Sequence, residues 1–280
     1  MTSPIDPRLD RRVLAEGLDH AEGVCWDPVR GCLWAVGEAG QVYRVELSGE
    51  FTITTTIPGA QGLGVALDAA GLLYVCDPAN HRVWRVDEDG RYETFGDPID
   101  YPNYPAFGPR GELYVSDSGS FDSATGRLVV IEPDGATRDI SPRPFAFANG
   151  LALDGSTLWI VESSTPGVSV LDLDSGALEL VIELERCVPD GLAVDGTGAL
   201  LISCYQPNQL WRWDPQAGLT LLVDDWTGEY ILSPTNVAFY GAELDRLALA
   251  SLCGTTLTTV ATPFPGRLVQ YPYIPTSFQE

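Results

Sequence analysis

The sequence predicts an all-β fold, a six-bladed β-propeller of four-stranded antiparallel blades, in a single domain over residues 1–280. Three observations predict it. One unit recurs six times at a spacing of about forty residues, each copy reads as strand, turn, strand, turn, strand, and helical periodicity is nowhere sustained. Glycine (29) and proline (21) without a collagen-like period, beside 45% hydrophobic residues, suit a turn-rich globular chain.

The copies run in order along the chain. They read "AEGVCWDPVRGCLWAVGEAGQVYRVEL" from Ala21, "AQGLGVALDAAGLLYVCDPANHRVWRVDEDG" from Ala60, and "PNYPAFGPRGELYVSDSG" from Pro102, which resumes at "GRLVVIEPDG". Then come "ANGLALDGSTLWIVESSTPGVSVLDLDSG" from Ala148, "PDGLAVDGTGALLISCYQPNQLWRWDPQAG" from Pro189, and "PTNVAFYGAELDRLALASLCGTTLTTV" from Pro234. Each opens with an apolar run, turns at Asp and Gly, and gives a second run such as "LWIV" and an alternating third such as "RVWRVD". Stretches such as "RYETFGD" and "LELVIELE" supply a fourth strand, completing each sheet.

Circular repetition removes free sheet edges, and it requires the chain ends to meet. "RRVLAEGL" reads as an outer strand and "GRLVQYPYI" as an inner strand of the last blade, so the termini are expected to share one blade.

The formal charge of −23 excludes nucleic acid and anionic lipid as partners and favours multivalent cations, although such a surface is more often a solubility device. All sixteen basic residues are arginine, which removes lysine Schiff-base and P-loop chemistry. With only His20 and His81, a serine–histidine pair has few ways to be built, and no H-E-x-x-H occurs. The six cysteines lack C-x-x-C spacing and read as buried reduced thiols, a Cys25–Cys32 link across a hairpin being the alternative. No signal-peptide core or spanning stretch is visible, so a cytoplasmic protein acting on a small molecule, with no membrane partner, is expected. Oligomeric state has no signature.

Aligning the copies on their first strand places Glu22, Gln61, Asn103, Asn149, Asp190 and Thr235 at one equivalent position. Every one offers an oxygen, and in a propeller equivalent positions on the innermost strands converge near the axis. Asn149-Gly150 and Asp190-Gly191 are also strong turn dipeptides, which is the competing explanation. Glu22 argues against turns alone, because a carboxylate near the axis is costly to desolvate without a cation. On this view Pro189 stiffens the approach to Asp190 and Gly191 lets the backbone turn tightly. Carboxylate and amide oxygens without histidine or thiolate suit calcium or magnesium, then manganese, with zinc less favoured.

Through "PDGLAVDGTGALLISCYQPNQLWRWDP", "AEGVCW" and "ANGLALDGSTLWIVES" the chain resembles the senescence marker protein/gluconolactonase/luciferin-regenerating enzyme family, over nearly its whole length. The resemblance implies a divalent metal in the central channel, calcium first, held by Glu22, Asn149 and Asp190. Likeness to diisopropyl fluorophosphatase-like propellers adds Asn103, as ligand and substrate contact. It implies a hydrolase, a lactonase above all, in which Asp190 is ligand and general base or nucleophile.

Sugar lactonases of that family carry arginine where this chain has Tyr101 and tend to have proline where it has Val24, so an apolar or aromatic lactone is expected. Tyr101, Tyr104, Phe121, Phe145, Phe147, Tyr205 and Trp226 fall near strand ends or in loops, and either line the pocket or pack the core. Tyr101, Tyr104 and Phe121 join Asn103 as the expected substrate contacts. His20, Gln61 and Thr235 are expected to support the ligands from behind, His20 as a hydrogen-bonded neighbour more than a proton shuttle. A non-catalytic binding propeller with a structural ion, or a metal-free enzyme like strictosidine synthase, are the alternatives.

Overall fold

Alternating apolar residues and recurrent Asp/Gly turns fold the chain into six four-stranded antiparallel sheets, in a computed structural model that describes residues 11–276 and 278. Strand β1 (Arg11–Glu16) comes first in the chain but belongs to the last sheet. Blade 1 is β2 (Gly23–Asp27), β3 (Cys32–Val36), β4 (Gln41–Glu46) and β5 (Phe51–Thr56). Blade 2 is β6 (Val65–Leu67), β7 (Leu73–Asp77), β8 (Arg82–Val86) and β9 (Tyr92–Thr94). Blade 3 is β10 (Pro102–Phe107), β11 (Leu113–Asp117), β12 (Arg127–Ile131) and β13 (Thr137–Asp139). Blade 4 is β14 (Ala148–Asp154), β15 (Thr157–Glu162), β16 (Gly167–Asp172) and β17 (Leu178–Glu183). Blade 5 is β18 (Val188–Val194), β19 (Leu200–Gln206), β20 (Gln209–Asp214) and β21 (Gly218–Asp224). Blade 6 is β22 (Pro234–Tyr240), β23 (Arg246–Ser251) and β24 (Thr256–Ala261), completed by β1.

The first strands touch in a closed circle, β2 to β6, β10, β14, β18, β22 and back to β2, so they are the innermost strands of a six-bladed propeller. Closure is made by β1 on β24, with Arg11 opposite Val260 and Glu16 opposite Thr256. The first and last strands therefore share one blade, but the inner strand expected at "GRLVQYPYI" is corrected. Residues 266–274 form no strand, and β22 is innermost. Blade 6 is already complete, and Pro263, Pro265 and Pro272 cannot donate to a ladder. The segment instead crosses the far end of the channel, where Arg267 pairs with Asp154 and Tyr271 Oη donates to Trp26 O at 2.8 Å.

The Asp/Gly turns have a common chemistry. Asp68 Oδ1 accepts from the Ala70 and Leu72 amides at 2.9 Å each, and Asp195 Oδ1 from Thr197 at 2.8 Å and Ala199 at 3.0 Å. Gly71 and Gly198 follow at φ 83° and 89°, the left-handed conformation a side chain would resist.

The core lies between blades. Trp26 and Leu33 of blade 1 pack with Tyr240, Ala248 and Leu257 of blade 6, and the Trp26 and Tyr240 rings are 6.0 Å apart. Each fully buried Leu, Val or Phe contributes roughly 1.5–3 kcal/mol. All six cysteines are free, which excludes the Cys25–Cys32 link; Cys253, unlike the expectation of burial, is exposed. No helix among the described residues is long and apolar enough to cross a membrane.

Candidate active site and metal centre

At one end of the channel the innermost strands begin so close together that a side chain is forbidden. A Cβ on Gly150 would lie 2.2 Å from Asp190 O, and one on Gly191 2.5 Å from Thr235 O. Gly23 meets Leu63 O and Gly64 meets Asn103 O in the same way, at 2.0 and 2.5 Å. The Asn-Gly and Asp-Gly pairs therefore lie inside β14 and β18, not in turns, and Gly191 is required for close approach of backbones rather than for a tight turn.

This contact also fixes the true equivalence. The residue before each close-approach glycine is Glu22, Leu63, Asn149 or Asp190, with Asn103 and Thr235 at the matching places in blades 3 and 6. Gln61 is thus corrected: Leu63 holds the ring position. Gln61 N donates to Asp77 Oδ1 at 2.9 Å, as Tyr101 N does to Asp117 Oδ1 at 2.9 Å, so Gln61 is the counterpart of Tyr101.

Serines directly after the second strands, Ser118 past β11 and Ser163 past β15, aim the carboxamides. Ser163 Oγ gives its proton to Pro189 O at 2.7 Å, so it must accept from Asn149 Nδ2 at 3.2 Å. The same nitrogen donates to Asp190 Oδ2 at 3.1 Å, which leaves Asn149 Oδ1 buried without a hydrogen-bond partner. Ser118 Oγ repeats the arrangement, donating to Ala148 O at 2.7 Å and accepting from Asn103 Nδ2 at 2.9 Å. Thr235 Oγ1 donates to Glu22 O at 3.0 Å and so holds the start of β2 from the neighbouring blade.

The electrostatics are those of an anionic pair held out of water. Asp190 is 6% exposed, and burial pushes its pKa up to about 7 against the opposing hydrogen bond from Asn149. Glu22, at the partly exposed mouth, is pushed up to about 8 by desolvation first, then by the charges of Asp190 and Glu38. Among the described residues no cationic side chain pairs with either. Two uncompensated carboxylates beside an orphaned amide oxygen fit a hard divalent cation, which Glu22, Asn149, Asp190 and Asn103 would hold.

The rim carries other expected residues. Tyr101 is half-buried, its phenol raised by burial and by the Glu22 charge; Tyr205 is pushed up to about 12 by burial, Asp190 and Glu22. The Tyr101 and Phe121 rings stand 6.1 and 5.1 Å from Phe147, forming an aromatic wall in which Phe121 is 45% exposed. Phe147 itself has φ 59°, an unfavourable conformation for an aromatic residue. His20 Nδ1 lies 3.1 Å from Asp19 Oδ1 and 3.3 Å from Glu38 Oε2, a surface grouping of metal-type ligands beside the mouth, so its partners are these rim acids.

Tyr104 is corrected as a substrate contact, and Phe145 takes the packing alternative. Tyr104 occupies the close-approach position of blade 3 and packs with Tyr114, Leu128 and Leu151 in the core, and Phe145 is wholly buried under Arg143. Trp226 is 79% exposed. Sequence reasoning missed Ser118 and Ser163, although both follow an acid on the second strand, in "SDSG" and "VESS". It also missed Asn236, whose buried Oδ1 likewise has no partner.

Fold and site together define a six-bladed propeller that gathers oxygen donors at one channel mouth. A sequence model of the SMP-30/gluconolactonase/LRE-like region matches residues 20–252, and the chain belongs to that family. It is 28% identical over 115 residues to regucalcin of Xenopus laevis, a match covering 38% of this chain; the matched stretch spans 38% of that curated relative. Among solved structures it is similar to a gluconolactonase from Xanthomonas campestris (19% identity, TM-score 0.77, covering 94% of this chain and 98% of that one). It is also similar to a calcium-binding protein, regucalcin, from Agrobacterium tumefaciens (17%, TM-score 0.79, 98% and 99%). At these identities the structures agree in fold.

Proposed function

We propose that the protein is a divalent-cation-dependent hydrolase that opens a lactone, with calcium the first candidate and magnesium, manganese and zinc the alternatives. The observation that carries this reading is the orphaned Asn149 Oδ1 beside the buried Asp190, with Glu22 at the partly exposed mouth, two desolvated carboxylates without a cationic partner among the described residues. The family's gluconolactonase and calcium-binding members support it. When bound, the cation supplies Lewis acidity toward a carbonyl oxygen.

The chain's own residues supply the rest. Asn149 Nδ2 engages Asp190 Oδ2, which leaves Oδ1 of Asp190 to take a proton from an attacking water. Burial raises the Asp190 pKa while a bound dication would lower it, so the loaded site keeps Asp190 as the carboxylate that can accept a proton near neutral pH. Ser163 and Ser118 fix the carboxamides, so the site loses little order when a substrate arrives. Tyr101, Phe147 and Phe121 form an apolar wall beside the mouth, suited to an aliphatic or aromatic lactone more than to a sugar lactone. The free thiols suit a cytoplasmic setting.

The test is a screen of aliphatic, aromatic and sugar lactones beside a phosphotriester, with and without chelator, and with Asp190→Asn as control. Chelator-sensitive lactone opening that the variant abolishes is expected. A cation that raises the melting temperature while no ester or lactone turns over would leave a structural ion instead.

A further inference from the structure

Behind the carboxylates the channel continues into a cavity of about 150 Å³ on the opposite side of the molecule. Its wall is built by the innermost strands of all six blades, with Val24, Val65, Leu151, Leu192 and Val237 among its lining. None of Glu22, Asn149 or Asp190 borders it. It is therefore a space separate from the candidate active site.

The sequence keeps this space open. The third residue of the aligned inner strands is Cys25, Ala66, Ala106, Ala152, Ala193 or Ala238, small in every blade, and each borders the cavity. Larger side chains there would fill the axis.

The far opening is crossed by residues 267–271. Arg267 N donates to Val194 O at 2.9 Å, and the Tyr271 hydroxyl reaches Trp26 O. Yet this strap does not plug what it covers, because Leu268 and Val269 remain 51% and 65% exposed. The charged pair at the lip, Arg267 with Asp154, is satisfied internally and leaves no free charge for an ion. Cys25, Ala66, Ala106, Ala193 and Ala238 are only half-buried, so water reaches the space. A compact apolar guest of about benzene volume gains by displacing that water from the Ala, Val and Leu side chains, whereas a charged guest is costly to desolvate there.

We propose that this half of the channel, beneath the 267–271 strap, is a binding site for one compact, uncharged, apolar molecule of about benzene size. The guest lies against the alanine ring and the Val and Leu side chains, and binds independently of the cation.

Benzene is the probe, titrated into the full chain with and without chelator and followed by methyl chemical shifts and melting temperature. Expected are saturable one-to-one binding, shifts centred on the methyl groups of Val24, Leu151, Leu192 and Val237, and no dependence on chelator. Ala193→Leu, which fills the ring, should weaken binding at least tenfold while leaving calcium affinity unchanged. Absence of saturable binding by the wild-type chain, or shifts centred elsewhere, overturns the proposal whether or not the variant folds. Full benzene affinity in a folded Ala193→Leu protein overturns it too.

Discussion

Asn149 reaches from the innermost strand of one blade to Asp190 on the next, its Nδ2 donating to Oδ2 at 3.1 Å. One carboxamide thereby orients the proposed base and presents its own oxygen to the same small space. Asn149→Ala removes both, and a hydrogen bond to a charged group is worth roughly 1.5–3 kcal/mol. Calcium affinity, read by calorimetry, is expected to fall at least tenfold, and the pH midpoint of kcat/KM to rise because that bond lowers the Asp190 pKa. Asn103→Ala, whose Nδ2 bonds only Ser118 among the contacts described, should leave the midpoint in place. Equal midpoint shifts in the two variants would remove Asn149's orienting role.

The carboxylate pair also predicts how stability depends on pH without cation. Glu22 and Asp190 titrate in the folded protein at about 8 and about 7, above the ordinary value of about 4 for unfolded carboxylates. The folded state then binds more protons than the unfolded one across that interval, so stability falls as pH rises. Their contribution is fully present below about pH 4 and is lost on passing through about 7 to 8. Glu162 and Asp19, whose values are lowered, titrate below this window. In chelator the melting temperature should drop between about pH 4 and about 8, and calcium should flatten or reverse the slope. A flat profile in chelator would contradict the desolvation of the two acids.

Gly150 is a packing requirement, not a flexibility device. An added Cβ would sit 2.2 Å from Asp190 O and 2.9 Å from the Gly191 Cα, both backbone atoms that cannot swing away. Gly150→Ala should therefore cost more than about 2 kcal/mol in chemical denaturation, well above an ordinary helix or strand glycine substitution. Gly155→Ala serves as contrast: nothing stands within 4 Å, and only its φ of 63° opposes a side chain. A smaller loss at Gly150 than at Gly155 would show that the inner strands can separate.

How far the sequence discloses this site depends on which contacts stay within a blade. The six units and their strand order follow from periodicity, because five sheets are contiguous segments and the sixth borrows only β1 from the start of the chain, which the need to close the circle makes legible. Glu22, Asn149 and Asp190 are visible because each stands directly before its glycine. "AQGLGVAL" has two glycines, and only the approach of Asn103 O to Gly64 in the next blade selects Leu63 over Gln61. Ser118 and Ser163 were hidden for the same reason, since their acceptors belong to neighbouring blades. The tail reads as a strand in isolation, yet blade 6 is already filled by β22, β23, β24 and β1, and Pro272 cannot donate to a ladder. Gln61→Ala should accordingly leave calcium affinity within about twofold, whereas Leu63→Asn, at the ring itself, should change it.

Substrate choice rests on the wall beside the ring. Phe121 and Tyr101 both pack against Phe147, with ring centroids 5.1 and 6.1 Å from its own. An aromatic contact adds about 0.5–1.5 kcal/mol beyond area burial, so Phe121→Ala should raise KM for an aromatic lactone up to about tenfold. Because Phe121 is 45% exposed and belongs to none of the core clusters, the melting temperature should barely move. Calcium affinity and kcat should stay near wild type, which separates loss of grip from loss of the site. Tyr101→Arg tests the wall from the other side: it restores a charged donor near Glu22, whose influence on Tyr101 puts the phenol within electrostatic reach. That variant should gain sugar-lactone turnover relative to aromatic turnover, and an unchanged ratio in both variants would mean that substrate lies against another part of the mouth.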